Sequence, residues 1–387
     1  MPPEDLGFTR EELLSAVERM QVAVIGFSLR GGSMFLQGLF AQYKEIATTP
    51  TMSSVYDFYQ DEHALILPET YIEFFEKNGP CLEDEELEAD PVAKERYFSC
   101  SYKTFFSLCR MYGPCQRKEY FLLLHIAFAL ADGKSLEKLT CVLFHLHSPM
   151  SCVMKIGQEQ PVPSTNQIEK IMQDFPHARI IVTLRNPVCG LESYALYDEN
   201  HGEFLRCFAL MLCAVFYICR LWRPERSIFL LTLPDLHRNF NTVMGALCAF
   251  LDVPFDPSLR SSRFYGAIPH PDYSAKQKIA NQPNPTFIDW KGNVLSKNQI
   301  SAIKFFFHDF YKKFFPENKQ EGQLSFADFG RTLLWITYAA GSIRSIHDAY
   351  YLKELFKKYC ALKRFRHLNI ENAWTYERKG NASHSSP

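Results

Sequence analysis

Three sets of residues have types and spacing suited to chemistry on an anion. The first lies in "VAVIGFSLRGGSMFLQ", from Val22 to Gln37, where Gly26, Gly31 and Ser33 form the G-x-x-x-x-G-x-S skeleton of a phosphate-binding loop. Gly32 stands where a nucleoside triphosphatase carries the lysine that bridges β and γ phosphates, and Arg30 brings a cation two residues earlier. A glycine-rich turn entering a helix still offers backbone N–H groups and the positive end of a helix dipole, and an arginine adds planar donors matched to phosphate or sulfate oxygens. The loop therefore suits an anion held without an obligatory metal. The second set is Arg185 with Ser193 in "ARIIVTLRNPVCGLESY". If the residues after Pro187 turn into a helix, the hydroxyl comes back beside the guanidinium, and the two can hold a terminal phosphate monoester. The third is His145 and His147 in "HLHSP", two apart at a strand end and so on one face.

The elements that must position these residues alternate in type. After a short amphipathic helix over residues 9 to 20, "MQVAVIGFS" is an apolar run ending in glycine, as in a parallel strand buried on both faces. Met34, Leu36, Leu39, Phe40 and Tyr43 then recur at helical spacing. Further strands are expected in "KLTCVLFHLHSP", in "ARIIVTLRNP", stopping at Pro187, and in "SIFLLTLPDL". Helices are expected near "TNQIEKIMQDFP" and over residues 203 to 222. Between residues 50 and 135 the text is mostly helical, with helices near 70–77, 101–111 and 119–131 and the acidic "EDEELEAD" as a solvated stretch. The last third is helical again, beginning with "KNQISAIKFFFHDFYKKFF". This order predicts an α/β fold: a doubly wound, mainly parallel sheet in three α/β/α layers, P-loop-like, with ligands at the carboxyl ends of its strands. One principal domain covers residues 1–325, carrying the helical insertion, and residues 326–387 form a helical extension with a frayed tail.

The two anion motifs resemble those of the sulfotransferases that use 3′-phosphoadenosine 5′-phosphosulfate (PAPS). Their first signature, roughly P-[KR]-S-G-T-T-x-L, is matched loosely by "LRGGSMFL", Leu29 to Leu36, and their second closely by "FPHARIIVTLRNPVCGLESY", Phe175 to Tyr194. "LLTLPDL", "CAFLDVPF" and "LSKNQISAIKFFFHDFYKKFF" are similar to later family segments, so the resemblance spans about residues 20 to 315. It implies a P-loop-like fold that moves a sulfuryl group from PAPS to a hydroxyl or amine, releasing 3′-phosphoadenosine 5′-phosphate (PAP). By position, Arg30 would meet the 5′ sulfate and phosphate, backbone groups of Gly31, Gly32 and Ser33 with the Ser33 hydroxyl would hold the 5′-phosphate, and Met34 would also lie in the donor-binding loop. Arg185 and Ser193 would hold the 3′-phosphate, and Phe35 would stack on adenine. Leu29, Gly31 and Met34 depart from the family's proline, serine and second threonine, removing one hydroxyl donor. The family's late R-K-G-x-x-G-D-W-K segment is echoed only by "IDWKG", which contains Asp289 to Gly292.

Sulfuryl transfer needs a base near the acceptor and a cation at the bridging oxygen. His147 takes the place of a family lysine in "HSP" and is the first candidate, with Arg30 as the cation and His145 second. A structural role for either histidine and a carboxylate such as Asp61 or Glu62 remain the alternatives.

Composition narrows the partners. With 47% hydrophobic residues and a net charge of −1, the 387-residue chain is neither disordered nor built for wholesale attraction to nucleic acid. Its start, "MPPEDLGFTREELL", lacks the pattern of a secretory signal, and the longest apolar run, Cys207 to Cys219, is shorter than the roughly 20 residues that span a bilayer. A cytoplasmic setting is expected, with the twelve cysteines as reduced core thiols and no metal. The expected acceptor is a small hydrophobic alcohol, phenol or amine. Lys357, Lys358, Lys363, Arg364 and Arg366 form a basic cluster, either a solvated helical face or a contact for an acidic membrane or partner. Two other functions fit parts of the pattern: a non-catalytic protein binding a nucleotide or partner on the same fold, and a P-loop kinase, against which the missing lysine argues.

Overall fold

The computed structural model describes residues 6–26, 31–49, 65–78, 87–88, 91–146, 167–197, 208, 211, 227–263, 268–269, 282–287, 289, 294–315, 325–341 and 374–375. Arg30, Asp61, Glu62, His147 and the basic cluster from Lys357 to Arg366 lie outside the described residues.

Eight strands occur among the described residues: β1 (Gln21–Gly26), β2 (Ile46–Ala47), β3 (Leu87–Glu88), β4 (Cys141–Leu146), β5 (Arg179–Leu184), β6 (Ile228–Thr232), β7 (Ile268–Pro269) and β8 (Trp374–Thr375). Six of them make one sheet in the order β2-β4-β1-β5-β6-β8. Every pairing in it is parallel. The expected α/β class with a parallel sheet is thus the observed one. The chain leaves β1 toward β2 on one side and leaves β5 toward β6 on the other, so the connections diverge between β1 and β5, where open α/β sheets leave a crevice at their carboxyl ends.

Among the described residues the α-helices include α1 (Arg10–Arg19), α2 (Ser33–Phe40), α3 (Pro68–Asn78), α4 (Pro91–Tyr112), α5 (Arg117–Ala131), α6 (Gln167–Asp174), α7 (Pro187–Tyr197), α8 (Leu233–Arg238), α9 (Phe240–Leu251), α10 (Lys297–Phe306), α11 (His308–Phe314) and α12 (Phe326–Gly341). Several starts are written into the sequence by reciprocal caps. Thr9 with Glu12 opens α1, and Ser296 with Gln299 opens α10, each side chain satisfying the other residue's backbone N–H.

Strand alternation divides the core between the two faces of the sheet. Val22, Val24, Val142, Phe144, Ile180 and Val182 pack with α4 and α5. Ala23, Ile25, Leu143, Ile181, Phe229 and Leu231 pack with α2 and α9. Helices therefore cover both faces, which is why these strands read as continuous apolar runs. Lys134, after α5, donates to Ala41 O at 2.5 Å and Ile46 O at 2.7 Å, tying that turn to the end of α2, where a cation opposes the helix dipole.

Some boundaries differ from the expected ones. β5 ends at Leu184, and Pro187 opens α7 because its fixed φ and missing N–H suit the first helical position. β6 ends at Thr232, whose hydroxyl accepts from Asp235 N–H, so "LPDL" is helix α8 and not strand. The late helix is two, α10 and α11, parted at Phe307. Within "EDEELEAD", read as solvated, Leu87–Glu88 pairs antiparallel with Ile268–Pro269. Trp374–Thr375 adds an edge strand in a stretch read as helix and tail. Of the expected helix over 203 to 222, Phe208 and Met211 are described, both helical and buried. Among the described residues no helix is long and apolar enough to cross a membrane.

Candidate functional site

Gly26 ends β1, and the chain re-enters the described residues at Gly31, which is buried. Gly32 caps α2 with φ 83° and ψ 21°, in the left-handed region that side chains rarely adopt. A Cβ there would also run into Leu233 Cδ1 at the start of α8. Only glycine lets the turn after β1 lie against the turn after β6. Leu36 N–H donates to Gly32 O at 3.0 Å, the first bond of α2, so the N–H groups of Ser33, Met34 and Phe35 lie in its first turn, where no intrahelical acceptor exists. Ser33, Met34 and Phe35 are half-buried. This is the anion-binding end of a helix at the carboxyl end of β1.

Arg185 leaves the neighbouring strand β5 at its carboxyl end. Asn186 caps the helix that follows, its Oδ1 accepting from Val188 N–H at 3.0 Å and from the hydroxyl of Tyr311 on α11 at 2.8 Å. Ser193 lies two turns into α7, half-buried. The glycine turn and Arg185 thus sit at adjacent strand ends, and the helix expected to carry Ser193 is present.

Residues to which the sequence motifs assign no role complete the site. Arg185 Nε donates to Asp289 Oδ1 at 2.8 Å, with side chains only 11% and 13% exposed. Phe35 stacks on His237 of α8 with ring centroids 4.8 Å apart, and His237 stacks on Phe287 at 4.4 Å. His237 Nδ1 accepts the backbone N–H of Asn284 at 3.2 Å, and Arg238 Nε donates to Phe287 O at 2.8 Å. Burial, assisted by the charge of Arg185, pushes the His237 imidazole down to about 4, so the ring is neutral at pH 7 with its proton on Nε2. The one sequence signal for this group was the "IDWKG" echo, which holds Asp289. His237 and Phe287 carry no motif, because an aromatic stack is made by tertiary contact.

Of the two candidate histidine bases, His147 lies outside the described residues and His145 lies within them. His145 is 2% exposed, opposite Ile25 in the β1–β4 ladder and in phase with Cys141 and Leu143, on the α2 face of the sheet. Among the described residues no group of three or more His, Cys, Asp or Glu could hold a metal ion.

Fold and site together define an open parallel α/β protein with a glycine turn, a helix N-terminus and an arginine at adjoining strand ends. No protein-family model and no curated protein matches the chain. It is similar to the solved sulfotransferase domain from the curacin biosynthetic pathway, at 16% identity over 69% of this chain and 88% of that one, with a TM-score of 0.39. It is also similar to the sulfotransferase domain of the Synechococcus PCC 7002 olefin synthase, at 15% identity over 62% of this chain and 76% of that one, with a TM-score of 0.36.

Proposed function

We propose that this protein is a PAPS-dependent sulfotransferase acting on a hydroxyl or amine of a small hydrophobic acceptor. One observation carries the reading: the lysine-free glycine turn at the start of α2 and Arg185 at the end of β5 lie at adjacent strand ends, on either side of the switch point. Two anion sites so placed suit a ligand with two separated phosphates. The amides of Ser33 to Phe35 take the 5′-phosphate, Arg185 and Ser193 the 3′-phosphate, and an aromatic face near Phe35 the adenine.

Bound there, PAPS supplies a sulfuryl group whose sulfur bonds to the acceptor oxygen or nitrogen as its bond to the bridging oxygen breaks, PAP leaving with that electron pair. The chain's own part is to orient the two phosphates, offer a cation at Arg30, and take the acceptor proton. His147 is the first candidate for that last role and His145 the second, with a cytoplasmic setting in both cases.

Thermal midpoints test the reading with PAP, 5′-AMP and ATP with magnesium, each read against the same protein without ligand. A rise specific to PAP that vanishes in Arg185→Ala is expected. A preference for ATP with magnesium would overturn it in favour of a kinase. PAP binding with no turnover on any acceptor would favour the non-catalytic binder.

A further inference from the structure

The groups expected to recognise the nucleotide are engaged by the protein itself. Arg185 is bonded to Asp289, a carboxylate at hydrogen-bond distance from the guanidinium that would receive a phosphate oxygen. Asp289 Oδ2 is buried and makes no hydrogen bond, so half of the carboxylate is desolvated without compensation. Phe35, expected to face adenine, carries His237 on its ring, and His237 carries Phe287. A base sandwiched between two rings needs them about 7 Å apart, two ring thicknesses. At 4.8 and 4.4 Å the three rings are in contact and admit nothing between them.

Phe287 and Asp289 belong to one stretch of chain, residues 282–287 and 289. It is held to α8 by Asn284 N–H on His237 Nδ1 and by Arg238 on Phe287 O. Asn284 Oδ1 also accepts from Thr286 N–H at 3.0 Å, which shapes the turn. The strap therefore presents an anion to Arg185 and a ring to the Phe35 stack, the same two chemistries that the 3′-phosphate and the adenine of the nucleotide would present. Among the described residues its anchors on α8 are two hydrogen bonds and one ring contact.

Resting on the donor-site reading above, we infer that this strap is an internal competitor for the nucleotide site, with Asp289 standing in for the 3′-phosphate and Phe287 closing the ring stack. The nucleotide enters by taking Arg185 from Asp289 and parting the stack, so Asp289 lowers the donor affinity. The cost of breaking the Arg185–Asp289 pair falls on every nucleotide that displaces the strap, and a 3′-phosphate offsets part of it by taking Arg185. Asp289 thus sets how tightly nucleotides bind, and Arg185 sets the preference for a 3′-phosphate.

Calorimetric titration of PAP and 5′-AMP into the wild-type protein, Asp289→Asn and Phe287→Leu tests this. Asparagine keeps the shape of the strap and removes the charge, and circular dichroism checks that both variants fold. Asp289→Asn is expected to bind PAP about tenfold or more tightly than wild type, and to bind 5′-AMP more tightly as well. Amide exchange adds a second readout, because displacement predicts that the Asn284 amide, bonded to His237, exchanges faster with PAP bound than without it. Equal or weaker PAP binding by Asp289→Asn, with wild type binding PAP well, would overturn the strap while leaving the donor site standing. Slower Asn284 exchange in the complex would do the same. No PAP binding by wild type or either variant would overturn both.

Discussion

At Gly32, one residue meets two independent demands: a backbone at φ 83° and a surface against which Leu233 packs without room for a methyl group. Gly32→Ala is therefore expected to destabilise the fold by about 1–3 kcal/mol and to open the turn after β1 from the turn after β6. Urea midpoints check the first effect, and PAP affinity falling further than Leu233→Ala lowers it checks the second. Two buried imidazoles make a separate prediction. Burial pushes His125 down to about 4, where its Nδ1–H donates to Phe121 O at 2.8 Å, and His237 is held at about 4 as well. The unfolded chain would titrate both near 6.5, so between 6.5 and 4 it takes up protons that the folded chain refuses. Stability is complete above that window and falls as pH drops through it, by up to about 3 kcal/mol for the fully buried His125. His125→Leu should lose less stability than wild type between pH 7 and pH 5, read from denaturant midpoints at the two values.

At the scale of elements, the anion site depends on how α7 begins. Asn186 accepts from Val188 N–H and from Tyr311, so a side chain over a hundred residues away fixes the first turn of the helix next to Arg185. Burial keeps the Tyr311 phenol protonated, well above its ordinary range, and so a donor to Asn186. Tyr311→Phe removes that donor and is expected to cost about 1–2 kcal/mol of stability. It should also weaken PAP binding through Arg185 while leaving 5′-phosphate affinity less affected, as parallel titrations of PAP and 5′-AMP would show. The start of α7 was legible in the sequence, because Asn-Pro followed by a helical run is a start signal. The start of α8 was legible in principle too, since Thr232, Pro234 and Asp235 spell a capped start, but the apolar run before them hid it. The break at Phe307 was not. "FFFHDFYKKFF" contains neither glycine nor proline, and the parting of α10 and α11 reflects packing of Phe306, Phe307 and Trp335 around Phe208.

Across the whole molecule, the central sheet was readable because strands buried on both faces are apolar without interruption, whereas β2, β3, β7 and β8, of two residues each, are too short to carry a period. The site was readable where it rests on backbone, at Gly32 and Arg185, and unreadable where it rests on contact, at His237 and Phe287, with Asp289 marked only by the "IDWKG" echo. The inserted helices are tied to α6 by a further contact of that kind. Arg117, at the start of α5 and 1% exposed, donates through Nε and Nη2 to both oxygens of Asp174 at the end of α6, at 2.7 and 2.9 Å. A buried pair of this geometry is strongly destabilising to halve, because the remaining charge is stranded, yet replacing both members by apolar groups is often nearly neutral. Arg117→Met alone is therefore expected to cost about 3–5 kcal/mol, and Arg117→Met with Asp174→Leu to recover most of it. Urea unfolding of the two variants separates the outcomes. A double variant as unstable as the single one would mean that the pair contributes net attraction, and that the insertion is pinned to α6 by charge and not merely by the shape of the surrounding core.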